Sequence, residues 1–214
     1  MHTQSVPSID ISSQALAIAS VAADLAARGW TPATSSNFSM RVDADCIAIT
    51  ISGRDKGALS VADIMRMDVH GRAWPDEPTQ PSAEAALHGQ IYRCMPTTQA
   101  VLHTHSRTQS VASRLFAKAG VVRLRGWELQ KAITGIHSHE STLDIPVFAN
   151  SQHMPDIERQ VDAWRDSGKP LYAYLIDGHG IYAWGDSMDA ANRHLQALEF
   201  MLTCELDLIR LGQA

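Results

Sequence analysis

Short apolar segments with the period of a β-strand alternate along the chain with longer segments that have the period of an α-helix, and this alternation most constrains the fold. The alternation predicts one mixed α/β domain over residues 1–214, with a central sheet, surrounding helices and a flexible segment over residues 1–10. The helical pattern covers residues 11–28, 82–94, 108–118, 155–166 and 187–211, with a short helix after Gly126. The strand pattern covers residues 38–42, 46–51, 65–69, 100–105, 121–124, 145–148, 171–176 and 180–184.

The charge and the cysteines narrow the possible functions. The 214 residues carry a formal net charge of −5. Because a general nucleic-acid surface needs clustered Lys and Arg, we expect no nucleic-acid partner. Cys46, Cys94 and Cys204 are dispersed and odd in number, which is typical of a reducing compartment and not of a disulfide framework. The sequence shows no secretion signal and no apolar run of about 18 residues, so we expect a cytoplasmic protein with no membrane partner.

Two histidines end the apolar strand segment that begins at Ala100. His103 and His105 are one residue apart, so on a strand they point to the same face while Thr104 points to the other. His179 stands between two glycines, where a tight turn can place an imidazole deep in a site. Three histidines with an open fourth position are typical of a catalytic zinc site. We therefore predict a Zn²⁺ ion bound by these three side chains.

Two other features have less specific interpretations. His137 and His139 repeat the same spacing, but their run is polar and no strand leads into it, so we predict a loop. Lys56 either adds a positive charge to the site or belongs to a solvated turn with Arg54 and Asp55.

A set of short motifs is similar, in order and spacing, to those of the class II aldolase family, which also contains ribulose-phosphate epimerases and the adducin head domain. The resemblance extends over residues 16–211. It implies a three-layer α/β/α fold with a central, mostly antiparallel sheet, a homotetramer and one zinc ion per subunit. The motifs are Ser35-Ser-Asn-Phe-Ser39, Ser52-Gly53, Pro81-Ser-Ala-Glu84, His103-Thr-His105 and Gly178-His-Gly180.

The resemblance also implies a phosphate site made of loop hydroxyls, backbone N–H groups and an amide. Many members have Gly in place of Ser36 and a second Ser in place of Ala83, so this chain departs from the pattern at two positions. The backbone donors remain, and we expect a small sugar phosphate as substrate. The residues that match the phosphate loops are Ser36, Asn37, Ser52, Gly53 and Ser82.

Within the family, residues 126–132 and 180–185 resemble the branch that dehydrates a methylthio-sugar phosphate in methionine salvage. In that branch a glutamate matching Glu128 is favoured for proton transfer, whereas in the aldolases the glutamate matching Glu84 moves the proton. A carboxylate in a partly desolvated pocket can take the C3 proton and later protonate the departing C4 hydroxyl, while zinc stabilises an enediolate. We predict Glu128 as the principal acid/base and Glu84 as the second carboxylate.

Two alternatives remain open at this point. An aldolase or a 4-epimerase for another sugar phosphate would use the same metal and phosphate site with Glu84, but aldolases often carry a C-terminal tyrosine, and this chain ends in Ile209-Arg-Leu-Gly-Gln-Ala214. A non-catalytic interaction module similar to the adducin head would have lost the metal ligands, which this chain retains.

Overall fold

The computed structural model describes residues 9–213, so the predicted flexible segment over residues 1–10 lies almost entirely outside the described residues. None of the helices in this range is long and apolar enough to cross a membrane. The helices are α1 Ser12–Ala27, α2 Ala85–Cys94, α3 Arg107–Phe116, α4 Met154–Asp166 and α5 Met188–Arg210. The strands are β1 Asn37–Arg41, β2 Cys46–Thr50, β3 Ile64–Asp68, β4 Ala100–Thr104, β5 Val121–Leu124, β6 Leu143–Phe148, β7 Ala173–Ile176 and β8 Ile181–Gly185.

The eight strands form one sheet in the order β3-β2-β1-β4-β8-β7-β6-β5. Neighbouring strands pair antiparallel except for β6 and β7, which are parallel. The sheet is therefore mostly antiparallel, as the family resemblance implies. β4 lies near the middle of the sheet, and its backbone forms hydrogen bonds with β1 along one edge and with β8 along the other.

Each face of the sheet carries its own apolar core, because successive side chains of a strand point in opposite directions. Leu102 packs into the core formed with α1, α3 and α5, which contribute residues such as Ile18 and Leu198. Val101 packs into the core formed with α2 and α4, which contribute Leu87 and Ile157. Helices thus cover both faces, and the predicted α/β/α fold class is confirmed.

Two helix predictions need correction. The helix predicted from Ser82 begins at Ala85, with Glu84 at its N-cap. The Ala85 N–H donates to the Ser82 carbonyl three residues back, so residues 82–84 form a tight turn before regular helix begins. The helix predicted after Gly126 is the 3₁₀ segment Glu128–Ala132.

A substitution at Gly89 in α2 tests how tightly this helix packs against the backbone at Val69. Alanine normally stabilises a helix interior by about 1 kcal/mol relative to glycine, but a Cβ at this position would collide with the backbone carbonyl of Val69. We expect Gly89→Ala to lower the free energy of unfolding by about 1–3 kcal/mol, measured by chemical denaturation. Gly57→Ala is the control, because its Cβ would meet the Ala26 Cβ at an ordinary 3.4 Å. Equal stability of Gly89→Ala and the parent chain would contradict the packing argument.

Candidate metal and phosphate site

Three histidines and one glutamate meet where the central strands β4 and β8 reach one end of the sheet. His103 is buried in β4, and His105 follows the last residue of that strand, with the two Nε2 atoms 2.7 Å apart. His179 lies in the turn between β7 and β8, and its ring centroid is 5.0 Å from that of His103 and 4.5 Å from that of His105. Together with Glu84 they offer four ligand atoms that all lie within 4.8 Å of one another. The structure therefore brings the three predicted ligands together with one of the two predicted carboxylates.

The imidazoles are held in the form that binds metals. His103 Nδ1 lies 2.9 Å from the Ile181 carbonyl oxygen, to which it donates its proton, so Nε2 is left free to face the cluster. Burial lowers the pKa of His103 well below its usual value. Burial, followed by the charge of His179, lowers the pKa of His105 to about 4. Both rings are therefore neutral at physiological pH and can donate a lone pair to a divalent cation.

Gly180 explains how His179 reaches the cluster. A Cβ at this position would collide with the backbone carbonyl of Thr104, so only glycine lets the turn approach the end of β4 this closely. The predicted role of the flanking glycines, to bring His179 deep into the site, agrees with this close approach.

Glu84 supplies the negative charge of the cluster. Its Oε1 lies 3.1 Å from His179 Nε2 and its Oε2 lies 3.7 Å from His103 Nε2. Its Oε2 also accepts a 2.6 Å hydrogen bond from Asn37 Nδ2. Burial alone would raise the pKa of this carboxyl, but the hydrogen bonds from His179 and Asn37 outweigh burial and hold the pKa well below its usual value. Glu84 is therefore a carboxylate at neutral pH.

All five predicted phosphate-binding residues line one cavity of about 330 Å³. Ser36 has a φ of +78°, a left-handed conformation that glycine adopts more easily, which accounts for the glycine that many family members have there. The side-chain NH₂ group of Asn37 already donates one hydrogen bond to Glu84, so only its second N–H could bind a phosphate. The residues that line this cavity include Ser36, Asn37, Ser52, Gly53 and Ser82 together with Glu84, His105 and His179.

Lys56 is buried, so the interpretation as part of a solvated turn is wrong for this residue. Its side chain is 1% exposed, and its ammonium donates hydrogen bonds to the carbonyls of Thr34 and Arg54 at 3.1 and 2.8 Å. Thr34 and the neighbouring Gly53 both line the cavity. Lys56 therefore joins the two loops that form the predicted phosphate wall and places a positive charge behind them.

Glu128 lies outside this cluster. Its side chain is 66% exposed and contacts Lys131 and His139, whose Nδ1 is 3.8 Å away. The 3₁₀ segment that carries it borders a different groove, of about 850 Å³, where Leu129 faces Phe200 of α5. His137 and His139 are exposed in a loop, as predicted. Within one chain, Glu128 does not reach the metal cluster.

The sequence prediction missed the residues behind Glu84. His88 and Tyr92 follow Glu84 on α2 at intervals of four residues and are fully buried. His88 contacts Asn37 and Ser39. The spacing of four, which places these side chains on one face of the helix, is the signal that could have revealed them.

The family follows from comparison with known proteins. The sequence profile of the family described as Class II Aldolase and Adducin N-terminal domain matches residues 16–206. The chain belongs to this family. The prediction from the sequence motifs is confirmed.

Two kinds of relative place the chain within the class II aldolases. It is 54% identical over 188 residues to a methylthioribulose-1-phosphate dehydratase of Xanthomonas campestris pv. campestris (strain 8004), covering 88% of this chain and 86% of that protein. A dehydratase of the same name from Xylella fastidiosa (strain Temecula1 / ATCC 700964) is 53% identical over the same length, covering 88% of this chain and 85% of that protein. The crystal structure of l-fuculose-1-phosphate aldolase from Thermus thermophilus is similar with a TM-score of 0.70 and 27% identity, covering 92% of this chain and 95% of that one.

The chain provides its own control for a metal-binding test. Replacing His103 and His105 by alanine removes two converging nitrogen ligands, so we expect the purified double variant to lose its bound divalent metal, measured by elemental analysis. His137→Ala/His139→Ala removes an exposed pair with the same spacing and should keep the metal content of the parent chain. Equal metal content in both double variants would place the metal elsewhere.

Proposed function

We propose that the chain is a zinc-dependent methylthioribulose-1-phosphate dehydratase. This lyase converts 5-methylthioribulose 1-phosphate to 2,3-diketo-5-methylthiopentyl 1-phosphate and water, a step of methionine salvage. The observation that carries the proposal is one cavity lined both by the predicted phosphate-binding loops and by Glu84, His105 and His179, which form the possible metal site together with the buried His103. The 54% identity to curated dehydratases over 88% of the chain selects this reaction among those of the family.

The proposal includes Zn²⁺ as the bound metal ion and the cytoplasm as the location of the protein. Three imidazole nitrogens suit zinc among the abundant divalent ions, although iron, cobalt and manganese can bind similar sites. All three cysteines are free, which suits a reducing compartment.

In this proposal, two groups of residues bind different parts of the substrate. Ser36, Ser52 and Ser82 would hold the phosphate at C1 with hydroxyl and backbone donors, and Gly53 lets the chain approach it closely. Zinc bound by the three histidines would supply Lewis-acid polarisation of the C2 carbonyl and the C3 hydroxyl. The buried charge of Lys56 behind the wall favours the anion. The phosphate and the reacting carbons would then be fixed at opposite ends of one cavity.

The reaction requires one proton to leave C3 and one to reach the departing oxygen. A carboxylate takes the C3 proton, and the electron pair of that C–H bond moves toward the C2 carbonyl to give an enediolate. The electron pair then forms the C3–C4 double bond as the C4–O bond breaks. The same carboxyl group returns the proton to the leaving hydroxyl, which departs as water. The resulting enol becomes the 2,3-diketone by moving its hydroxyl proton to carbon. We assign the proton transfer to Glu128 and the fixed negative charge beside the histidines to Glu84.

Glu128 can perform this role only from a neighbouring subunit, because within one chain it lies outside the cavity. We propose a homotetramer in which the exposed 3₁₀ segment Glu128–Ala132 faces the cavity of the next subunit. The groove beside it exposes Leu129 and Phe200, whose relative accessibilities are 38% and 52%. Apolar side chains exposed next to charged ones are typical of protein interfaces.

Turnover by two glutamine variants tests the reaction and the assignment together. We expect zinc-loaded protein to form the diketone from 5-methylthioribulose 1-phosphate, followed by its absorbance. Glu128→Gln should lower kcat by about 100-fold or more, as expected for loss of a general acid/base. Glu84→Gln should lower kcat less, by roughly tenfold, because it changes a charge next to the reaction and leaves the proton carrier in place.

Other results would point to the alternatives. Absence of turnover in metal-loaded protein would exclude the dehydratase and direct the search to fuculose, rhamnulose and ribulose phosphates. Complete loss in Glu84→Gln with an active Glu128→Gln would indicate the proton transfer of an aldolase. A protein that binds no metal would favour the adducin-like interaction module.

Mixing inactive variants tests whether the site is shared. His103→Ala removes a metal ligand but keeps Glu128, whereas Glu128→Gln keeps the metal ligands. If Glu128 acts across subunits, co-expressed chains of the two variants should form mixed oligomers with some intact sites and recover activity. The control is a mixture of His103→Ala with Glu84→Gln. Both changes lie in the metal cluster, so every cluster in the mixed oligomer carries one of them and no intact site can form. This mixture should show no gain over the residual activity of Glu84→Gln, and equal recovery in both mixtures would reject the arrangement.

A further inference from the structure

A buried chain of hydrogen bonds runs from Glu84 back through the face of the sheet that α2 covers. Asn37 Nδ2 donates to Glu84 Oε2 at 2.6 Å, and Asn37 Oδ1 contacts His88 Nε2. The other nitrogen of that ring, Nδ1, lies 2.7 Å from Ser39 Oγ. Ser39 Oγ lies 2.9 Å from the hydroxyl of Tyr92. Apart from Glu84 and Asn37 at its cavity end, the members are 0–2% exposed.

The orientation of the Asn37 amide fixes the direction of every bond in this chain. Its NH₂ group donates to Glu84 Oε2, so its oxygen faces Nε2 of His88. His88 must then carry its proton on Nε2. Burial lowers the pKa of His88 to about 3, so the ring is neutral and its bare Nδ1 accepts from the Ser39 hydroxyl. Ser39 in turn accepts from Tyr92.

We infer that His88 is a positioning residue for Glu84 and acts through the amide of Asn37. The amide of an asparagine has two orientations of similar intrinsic energy, and the wrong one would direct an oxygen at the Glu84 carboxylate. With its proton on Nε2, His88 donates to the oxygen of Asn37 and so stabilises the orientation that directs the NH₂ group at Glu84. The side chain of Glu84 makes no capping bond to α2, so Asn37 holds one of its oxygens and His179 the other.

The ring of His88 is itself held by packing. It meets the ring of Tyr182 edge-on, with centroids 5.5 Å apart and an angle of 71° between the planes. Tyr182 stacks on the metal-site residue His103 at 4.0 Å, with an angle of 13°. The same tyrosine therefore contacts both the histidine behind Glu84 and a histidine of the cluster, which fixes the position of one relative to the other.

A double-mutant cycle tests the inference, and its kinetic part depends on the proposed function. Misplacing a reacting group by about 1 Å can cost about 100-fold in rate, so we expect His88→Leu to lower kcat roughly tenfold with little change in KM. In the Glu84→Gln background the same substitution should have no further effect on kcat. His88→Gln retains an N–H near the position of Nε2 and should recover most of the loss. Equal factors in both backgrounds would show that His88 acts on the fold alone.

His194 provides the matched control. It is also a buried histidine, and its Nδ1 lies 2.7 Å from the Trp184 carbonyl oxygen and its Nε2 2.9 Å from the Thr134 hydroxyl, but it does not line the metal cavity. His194→Leu should reduce thermal stability about as much as His88→Leu without the loss of kcat. A similar loss of kcat in both variants would overturn the inference.

A spectroscopic measurement keeps the inference testable if His88→Leu does not fold. In the parent protein labelled with ¹⁵N-histidine, NMR should show His88 neutral, with its proton on Nε2 and a bare Nδ1, at neutral pH. A proton on Nδ1 or a cationic ring would overturn the inference whatever the activity. The expected tautomer in a protein without dehydratase activity would reject only the proposed function.

Discussion

The site depends on the pairing of β4 with β1 on one side and β8 on the other. In this register Asn37 lies beside His103, and His103 lies beside Tyr182. Because the three strands are antiparallel, the beginning of β1, the end of β4 and the beginning of β8 meet at one edge of the sheet. The loops that carry Ser36, His105 and His179 therefore converge there. A slip of one residue in β4 would turn His103 to the opposite face and dismantle the cluster.

The electrostatics of the cluster follow from its position on the sheet. Tyr182 stacks on His103, and Tyr174 stacks on Tyr182 with centroids 4.8 Å apart, so the site rests on buried aromatic rings. Such surroundings disfavour charged imidazoles and keep His103 and His105 neutral. Glu84 stays ionised only because the histidines and an amide surround its carboxylate. The burial that prepares the nitrogen atoms for a metal thus makes the partners of Glu84 necessary.

The sequence predicts the local parts of this site and misses the parts that depend on tertiary contacts. The pair His103 and His105 and the loop at Ser52 can be predicted from closely spaced residues. Strand and turn geometry alone determines the directions of these side chains. The sequence pattern around Lys56 is typical of an exposed turn, and only the tertiary contact with the loop of Thr34 buries this side chain. His88 lies in an ordinary apolar helix, and its function depends on a strand far away in the sequence. Strand order and the start of α2 at Ala85 are likewise decided by packing.

The two carboxylates of the proposed mechanism differ in how firmly their charge is fixed. The hydrogen bonds that Glu84 accepts from His179 and Asn37 stabilise its anion, so its pKa stays low and the group is a weak proton acceptor. A residue that must gain and lose a proton in each cycle needs partners that can change. Glu128 is 66% exposed, and the hydrogen bond from Lys131 lowers the pKa of its carboxyl, so the proposed proton-carrying role requires a contact with another subunit that raises this pKa. In the proposed mechanism, the division of roles between a fixed charge and a proton carrier therefore depends on the subunit contact that would cover Glu128.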